Sequence, residues 1–415
     1  MMPKWTHERR HLLSNFFSLT ALQGASYILP LLTLPYLVRV LGVEKFGLIS
    51  FAQAVNTYFS IIVGYGFNLS ATKSISVNRN DSEKVSEIFF SVMIIQGILL
   101  LISFLILVVM IFSFDRIRDD SWLFLSTFGM VVGGAFFPVW YFQGIENMKI
   151  TSGLNIGIKL FFTLMVFLLV NGPGDFLYVP ILNSFGYLAA AAVSLFLIWR
   201  SKAIKPVIPS IQILKNCFSD STQFFLSRLA NDGNQAFLPF VIGLFYGNSV
   251  LGNFSMVEKL YRAFYGLFSP ILLTIYPYMA GSRDLSFFKK VFWAVVPLTI
   301  IVIFGLSINR DWVIRTIFGI ENQLTSTIFL ILFSGSIFGV ISSLIGYPLL
   351  AAFGFIEEAN YSLIVAALIS FAYSVFAILA KLSIPALVAS SVLYEVLACG
   401  FRIWGIHRRG IWKEL

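Results

Sequence analysis

The residues best suited to chemistry in this sequence are charged and polar side chains that recur at helical spacing inside long apolar stretches. The first group combines two ionisable residues with two amides: Arg228, Asn231, Asp232 and Gln235. Their spacing of i, i+3, i+4 and i+7 places them on one face of a helix. Because a guanidinium group binds phosphate oxygens through paired hydrogen bonds and amides suit sugar hydroxyls, this face predicts an anionic, sugar-bearing ligand.

The next apolar stretch carries a second charged group, in which Glu258, Arg262 and Tyr265 share a helix face and Lys259 lies on its flank. Ionised side chains at bilayer depth are costly, so we expect them to face a partner or a water-filled cavity rather than lipid. The two charged groups together contain three cations and two carboxylates, a net charge of +1. This excess favours an anionic ligand.

A structural alternative competes with ligand binding at both groups. Arg228 and Asp232 have the i, i+4 spacing at which opposite charges stabilise a helix, and so do Glu258 and Arg262. Each pair could therefore neutralise itself within its own helix. From the sequence, both interpretations stay open.

A neutral polar stripe occupies an earlier apolar stretch. Gln53, Asn56, Thr57 and Ser60 again follow the i, i+3, i+4, i+7 pattern and share one helix face. We expect Gln53 and Asn56 to contribute to the same cavity as the charged groups, as partners for sugar hydroxyls.

Two acidic residues are candidates for coupling transport to an ion. Glu395 lies in the last apolar stretch near Ser391 and Tyr394, where it could bind a proton or a sodium ion. Asp232 is the second candidate. The alternative for Glu395 is an interfacial or helix-paired carboxylate.

The composition explains why these side chains must lie within a membrane. Of 415 residues, 58% are hydrophobic and only 12% are charged, whereas soluble domains carry roughly 25% charged residues. The sequence therefore predicts an all-α polytopic membrane protein. The net charge of +9 is better explained by basic cytoplasmic loops than by nucleic acid.

Apolar stretches long enough to cross the bilayer predict about twelve helices. They lie at about 14–38, 46–67, 86–113, 121–143, 152–171, 176–199, 219–246, 250–278, 288–308, 323–348, 358–380 and 382–403. With the N-terminus inside, 18 of the 29 Lys and Arg residues, Arg402 among them, fall on the cytoplasmic side and 7 on the outer side. This bias predicts a multi-pass membrane protein with both termini in the cytoplasm.

Two sequence echoes indicate an internal duplication. Gly42, Gly47 and Ser50 recur as Gly247, Gly252 and Ser255, an offset of 205 residues. Another echo, at an offset of 210 residues, matches Pro138 and Gly144 with Pro348 and Gly354. Two echoes in the same order at similar offsets favour a repeat.

The duplication predicts a domain organisation. Residues 1–199 form an N-lobe of six helices, 200–218 a cytoplasmic linker and 219–415 a C-lobe of six more. An even number of helices gives both lobes the same orientation, a parallel repeat typical of alternating-access transporters.

The sequence lacks the motifs of several classes of enzyme and ATP-driven pump. The sequence contains no GxxxxGK[ST] nucleotide loop and no evident Ser/His/Asp or metal-ligand constellation. Cys217 and Cys399 form no disulfide framework. We therefore expect a transporter without catalytic residues, metal site or cofactor.

Four motifs resemble a known family, the Wzx (RfbX-like) O-antigen flippases, which share a superfamily with multidrug antiporters and the lipid II flippase. The motifs are LTLPYLVR at 32–39, FGLISFAQ at 46–53, YGFNLSAT at 65–72 and PVWYFQGIE at 138–146. The resemblance implies a V-shaped pair of six-helix bundles. It also implies export of undecaprenyl-pyrophosphate-linked oligosaccharide from the cytoplasmic to the periplasmic leaflet, coupled to protons or sodium ions.

Two other function classes remain as alternatives. A multidrug antiporter for small cations would favour an anionic cavity, whereas the charged groups here are net basic. A membrane polymerase or ligase of lipid-linked glycans would place catalytic groups in a substantial periplasmic loop. The run of charges at 115–120 is the only weak candidate for such a loop, and a solvated loop explains it better.

Overall fold

The computed structural model describes the backbone of residues 5–411 and the side chains of residues 29–272 and 274–411. All regular secondary structure in this part of the chain is helical. The chain divides into two compact units, Met1–Gly252 (unit 1) and Asn253–Leu415 (unit 2). We describe each unit by itself.

Unit 1 contains ten complete helices and the start of an eleventh. They are α1 Trp5–Gly64, α2 Phe67–Val77, α3 Ser82–Ser113, α4 Asp115–Arg118, α5 Ser121–Phe136, α6 Val139–Gly144, α7 Met148–Leu169, α8 Tyr178–Ser201, α9 Ile211–Arg228, α10 Asn234–Phe245 and α11 Asn248–Gly266. A 3-10 turn, Pro173–Leu177, precedes α8, and a π-helical turn, Leu229–Gly233, joins α9 to α10. The boundary between the units falls within α11.

Unit 2 contains the rest of α11 and six further helices. They are α12 Ser269–Ser282, α13 Leu285–Ile308, α14 Arg310–Phe318, α15 Gln323–Ile345, α16 Ile356–Leu379 and α17 Ile384–Arg408. A second π-helical turn, Gly346–Ala351, follows α15 directly.

Ten helices in the described part of the chain are long and apolar enough to cross a membrane. The difference from the predicted twelve has two causes. Gly42 has non-helical backbone angles (φ 78°, ψ 163°), but α1 continues through this kink and joins the first two predicted spans. The π turn divides the predicted seventh span into α9, which carries three charged residues, and α10, which has only 12 residues.

The faces of several helices are suited to lipid rather than water. Large apolar side chains project from α3 and α13, where Leu101 is 60% exposed, Val109 63% and Phe304 66%. Water would make such continuous apolar exposure unfavourable, whereas lipid chains solvate it. The prediction of an all-α polytopic membrane protein is thus confirmed.

Small residues allow close helix packing within unit 1. A Cβ atom at Gly133 of α5 would lie 2.6 Å from the backbone of Tyr187 in α8, and one at Gly129 would lie 2.7 Å from the Ser184 side chain. Bringing backbones this close is the usual way in which membrane helices gain packing energy. In the same unit, α1 packs against α5, α7 and α10.

The two sequence echoes coincide with similar backbone features. Gly42 and Gly247, which the echo matches, both have positive φ, at 78° and 102°. The chain breaks at Pro138, between α5 and α6, and the matched Pro348 lies in the π turn after α15. The local geometry at both echoes is therefore interrupted in the same places.

Candidate functional site

The charged group of unit 1 is organised by the π turn. Arg228 ends α9, Asp232 lies within the turn, and Gln235 belongs to the first turn of α10. Arg228 Nε donates to Asp232 Oδ2 over 3.0 Å, and Asn231 Nδ2 donates to Asp232 Oδ1 over 2.9 Å. Asp232 therefore fixes the guanidinium and an amide at the same place.

Helix α1 contacts the π turn through Tyr58. The Tyr58 hydroxyl donates to the Gly233 carbonyl over 3.1 Å, and its ring packs edge-on against Phe240. A Cβ atom at Gly64 would overlap Arg228 Nη1, so the missing side chain makes room for the guanidinium. π-helical turns are frequent at functional sites because they redirect side chains and release backbone groups.

The predicted neutral stripe belongs to the same helix as Tyr58. Asn56 is buried, Gln53 is half-buried, and the Thr57 hydroxyl bonds back to the Gln53 carbonyl over 2.9 Å. The structure thus places Gln53 and Asn56 in unit 1, on a helix that packs against the π turn and α10. Whether they bind sugar remains a prediction.

The unit 1 charged pair is open to ligand. The side chain of Arg228 is 30% exposed and that of Asp232 36%, while Asn231 and Gln235 are exposed. Water or a headgroup oxygen could reach the guanidinium without displacing the backbone.

The charged group of unit 2 lies on a regular part of α11. Glu258 Oε1 accepts two hydrogen bonds from Arg262, from Nη2 over 2.6 Å and from Nε over 3.0 Å. The Glu258 side chain is only 14% exposed and the Arg262 side chain is 43% exposed. Lys259 follows Glu258 directly and is half-buried.

Both i, i+4 pairs named by the structural alternative therefore form. Their formation does not decide against ligand binding, since a carboxylate that holds a guanidinium in place also positions its remaining N–H groups. The two groups belong to different units.

Glu395, the first candidate for ion coupling, lies next to tyrosine and backbone groups, and Arg402 on the same helix interacts with it electrostatically. The Tyr261 hydroxyl donates to Glu395 Oε1 over 3.3 Å, and a Cβ atom at Gly339 would lie 2.8 Å from Oε2. Nearby, the Tyr265 hydroxyl donates to the Gly339 carbonyl over 2.8 Å and bonds to Ser343 Oγ over 2.5 Å. Among the side chains described, no Lys or Arg forms an ion pair with Glu395. Asp232, in contrast, is already paired with Arg228.

Arg402, predicted to be one of the cytoplasmic basic residues, has a role that its sequence pattern did not indicate. The side chain is 3% exposed inside α17. Its guanidinium donates to Ser342 O (2.6 Å), Ser342 Oγ (3.0 Å), Ser362 Oγ (3.1 Å) and Ala359 O (3.2 Å). It therefore joins α15, α16 and α17 through neutral oxygens. One signal could have revealed it, because Arg402 lies seven residues after Glu395 on the same helix face.

The charged run at 115–120, the weak candidate for an enzyme loop, has a structural role instead. Arg116 donates to the Leu244 carbonyl over 3.0 Å and to Asn248 Oδ1 over 2.9 Å, and Arg118 pairs with Asp115 at 2.8 Å. Burial lowers the pKa of Arg116 and raises the pKa of Asp120. The run ties the loop before α5 to the end of α10 and the start of α11.

Comparison with known sequences identifies similar proteins. A family model described as "Polysaccharide biosynthesis protein" matches residues 12–283. A protein of Escherichia coli (strain K12) named "Putative O-antigen transporter" is 31% identical over 291 residues, 70% of each chain. A protein of the same name from Shigella dysenteriae is 26% identical over 66% of this chain and 69% of its own.

Comparison with solved structures identifies the fold. An inward-facing multidrug resistance transporter of the MATE family superposes with a TM-score of 0.63 at 14% identity, over 93% of this chain and 96% of its own. The lipid II flippase MurJ in an inward closed conformation gives 0.62 at 16% identity, over 94% and 87%. At these identities the similarity is evidence of a shared fold alone.

Proposed function

Because this chain belongs to the polysaccharide biosynthesis protein family, we propose that it is a flippase for lipid-linked O-antigen oligosaccharide in the bacterial inner membrane. The observation that carries the proposal is the 31% identity to an O-antigen transporter homologue over 70% of both chains. The family expected from the four motifs is confirmed by the same comparisons. The chain is an all-helical, multi-pass membrane transporter.

The substrate we propose is an undecaprenyl-pyrophosphate-linked repeat unit, carried from the cytoplasmic to the periplasmic leaflet by alternating access. A pyrophosphate crossing hydrocarbon loses several kcal/mol of solvation per charge, by order of magnitude, unless fixed cations replace water. Arg228 and Arg262 supply these cations, with Lys259 in support. Their partial exposure, 30% and 43%, supports this assignment.

The remaining residues of the two groups have secondary roles in this proposal. Asp232 and Glu258 hold the guanidinium groups by the hydrogen bonds described above. They also reduce the positive charge of the empty site, which allows the headgroup to leave. Asn231 and Gln235, with Gln53 and Asn56, offer amides to sugar hydroxyls.

Coupling to a proton or sodium gradient completes the proposal, with Glu395 as the coupling residue. Its carboxylate accepts a hydrogen bond from the Tyr261 hydroxyl. Arg402, on the same helix, interacts with it electrostatically, but its guanidinium is held by neutral oxygens and not by this carboxylate. A carboxylate that is not in an ion pair gains more from binding a cation than one that is already paired. Asp232 is the second candidate, but its ion pair with Arg228 already stabilises the charged form.

The decisive experiment measures flipping directly. Purified protein in vesicles should move a fluorescent lipid-linked oligosaccharide from one leaflet to the other, and vesicles without the protein should not. A fluorescent cationic drug in the same vesicles tests the antiporter alternative, since the fold is shared with multidrug transporters. Movement of the drug without movement of the glycan lipid would overturn the proposal.

The orientation of the chain can be tested separately. The excess of basic residues in one set of loops predicts that a reporter fused after Arg409 is cytoplasmic and that one inserted near Asp119 is periplasmic. Opposite results at both sites would overturn the predicted orientation.

A further inference from the structure

Two glycines bring the backbones of α1 and α11 into direct contact. A Cβ atom at Gly47 would overlap the Asn248 carbonyl oxygen and lie 2.6 Å from the Gly252 nitrogen. Likewise, a Cβ atom at Gly252 would overlap the Val43 carbonyl oxygen and lie 2.8 Å from Val43 Cγ1. We call this contact the glycine crossing. Any side chain at either glycine would force the two helices apart.

The crossing is symmetric with respect to the internal duplication. At the repeat offset of 205, Gly47 corresponds to Gly252 and Val43 to Asn248. Gly47 meets Asn248 while Gly252 meets Val43, so each copy of the motif contacts the other through equivalent positions. This reciprocity is the signature of a two-fold axis. The contact therefore joins the two copies of one ancestral motif at the axis that relates them.

A second contact, which we call the Arg116 latch, secures the same helices. Arg116 donates to Leu244 of α10 and Asn248 of α11, and its guanidinium lies 5.6 Å from the ring centre of Phe51 in α1. The ring of Phe51 in turn fills the space left by Gly243. One arginine thus contacts three helices around the crossing, through a carbonyl, an amide and an aromatic face.

The helices at the crossing also bury polar groups that lack partners. Ser50 lies three residues after Gly47, and Ser255 lies three residues after Gly252; the side chains are 4% and 1% exposed. Neither hydroxyl has a hydrogen-bond partner among the described residues. A buried hydroxyl without a partner loses its hydrogen bonds to water and gains none in return. Any conformation in which water reaches these two hydroxyls is therefore stabilised relative to the one described.

From these contacts we propose that the glycine crossing and the Arg116 latch form a closure at the predicted periplasmic end of the protein, and that this closure opens during transport. The inference rests on the proposed transport activity and adds the residues that close one end. The close approach of the α1 and α11 backbones at Gly47 and Gly252 leaves no space between the two helices. The neutral partners of Arg116 and the unpartnered serines keep the opening of the closure reversible.

Cysteine labelling tests whether the closure opens. Ser50→Cys and Ser255→Cys are introduced singly after Cys217→Ser and Cys399→Ala, and membranes are opened so that a maleimide reaches both faces. We expect slow labelling that becomes at least several-fold faster in membranes supplied with lipid-linked oligosaccharide. If neither position is ever labelled in protein that still transports, the closure does not open and the inference is wrong.

Glycine variants test the seal itself. Gly47→Ala or Gly252→Ala should hold the helices apart, raise labelling of the cysteine at position 50 several-fold without substrate, and reduce transport. Gly97→Ala is the matched control, because a Cβ atom at Gly97 of α3 would have no neighbour within 4 Å. Labelling and transport equal to those of Gly97→Ala would overturn the inference.

Arg118, two residues after Arg116, provides a control for the Arg116 latch. Arg116→Gln should increase labelling at position 50, whereas Arg118→Gln, which removes an exposed pair with Asp115, should not. Equal labelling in these two variants would remove Arg116 from the closure. If labelling shows opening that never responds to glycan lipid, the closure stands and the proposed substrate is wrong.

Discussion

The charged pairs of the two units have the same spacing but present their groups differently. In unit 1, Arg228 and Asp232 flank a π turn and are exposed to similar extents, 30% and 36%. In unit 2, Glu258 is 14% exposed and Arg262 is 43% exposed on a regular helix. The unit 2 pair thus hides its carboxylate and presents its cation, while the unit 1 pair presents both. We infer that Arg262 makes the stronger contribution to anion binding.

The largest effect should come from removing the guanidinium groups. We expect Arg262→Ala to reduce surface glycan at least about tenfold at normal membrane abundance, because one hydrogen bond to a charged group contributes about 1.5–3 kcal/mol. Arg228→Ala should also reduce glycan display, by a smaller factor. Quantitative immunoblotting of the membrane and of surface glycan measures both.

A purely structural role for the pairs predicts a different outcome. Removal of Arg262 would then leave Glu258 buried without its partner, so the protein would be lost from the membrane. Arg315→Ala provides the control, since Arg315 pairs with Glu321 at an exposed site in the same unit. If Arg228→Ala and Arg262→Ala both show normal abundance and full surface glycan, these two arginines do not bind the headgroup.

Lysine substitutions sharpen the difference between the units. Lysine keeps the charge but lacks the planar fork, so Arg228→Lys and Arg262→Lys should each restore glycan only partly. We expect poorer recovery at position 262, where Glu258 engages both Nε and Nη2. Equal recovery at both positions would show that the two pairs contribute alike despite their different exposure.

Neutralising Glu395 should have a smaller but distinctive effect. Glu395→Gln retains the shape and the Tyr261 contact but cannot bind a cation by charge. We expect transport in vesicles to lose its response to an imposed proton or sodium gradient while abundance stays normal. Glu357→Gln, at an exposed site on α16, is the control. A gradient response that survives in Glu395→Gln would rule this residue out.

Stability effects at Arg402 should be smaller still. A Cβ atom at Gly346 would lie 2.5 Å from Arg402 Nη1, so Gly346→Ala overpacks the guanidinium site and should cost about 1–3 kcal/mol. Thermal unfolding in detergent measures this cost. Gly400→Ala serves for comparison, because no atom lies within 4 Å of a Cβ there. Equal melting temperatures would mean that the site adapts freely.

The smallest expected change is in cysteine labelling of the polar faces of unit 1. In a cysteine-free background, Ser60→Cys and Gln235→Cys should be labelled more slowly when lipid-linked substrate is present, because the ligand covers them. Ser82→Cys, exposed at the start of α3, should be unaffected. Indifference of both positions in active protein would count against a cavity lined by α1 and α10.

Apolar periodicity predicted most helices and both charged groups, because the cost of burying charge in lipid leaves a clear pattern. It could not predict the π turn at Leu229–Gly233, since the Gly233 carbonyl finds its partner in Tyr58, 175 positions away. Nor could it predict the role of Arg402, whose neutral acceptors lie on two other helices, α15 and α16. Backbone carbonyls carry no signal in a sequence, so a cation satisfied by them looks like an ordinary interfacial arginine.

The glycine crossing has a consequence for how such a chain can change over evolutionary time. Two distant positions of a chain normally diverge independently when each has its own surroundings. Here Gly47 and Gly252 are each other's surroundings, so enlarging one displaces the backbone of the other. These two glycines are thus constrained as a pair, and drift elsewhere in the gene leaves this constraint intact.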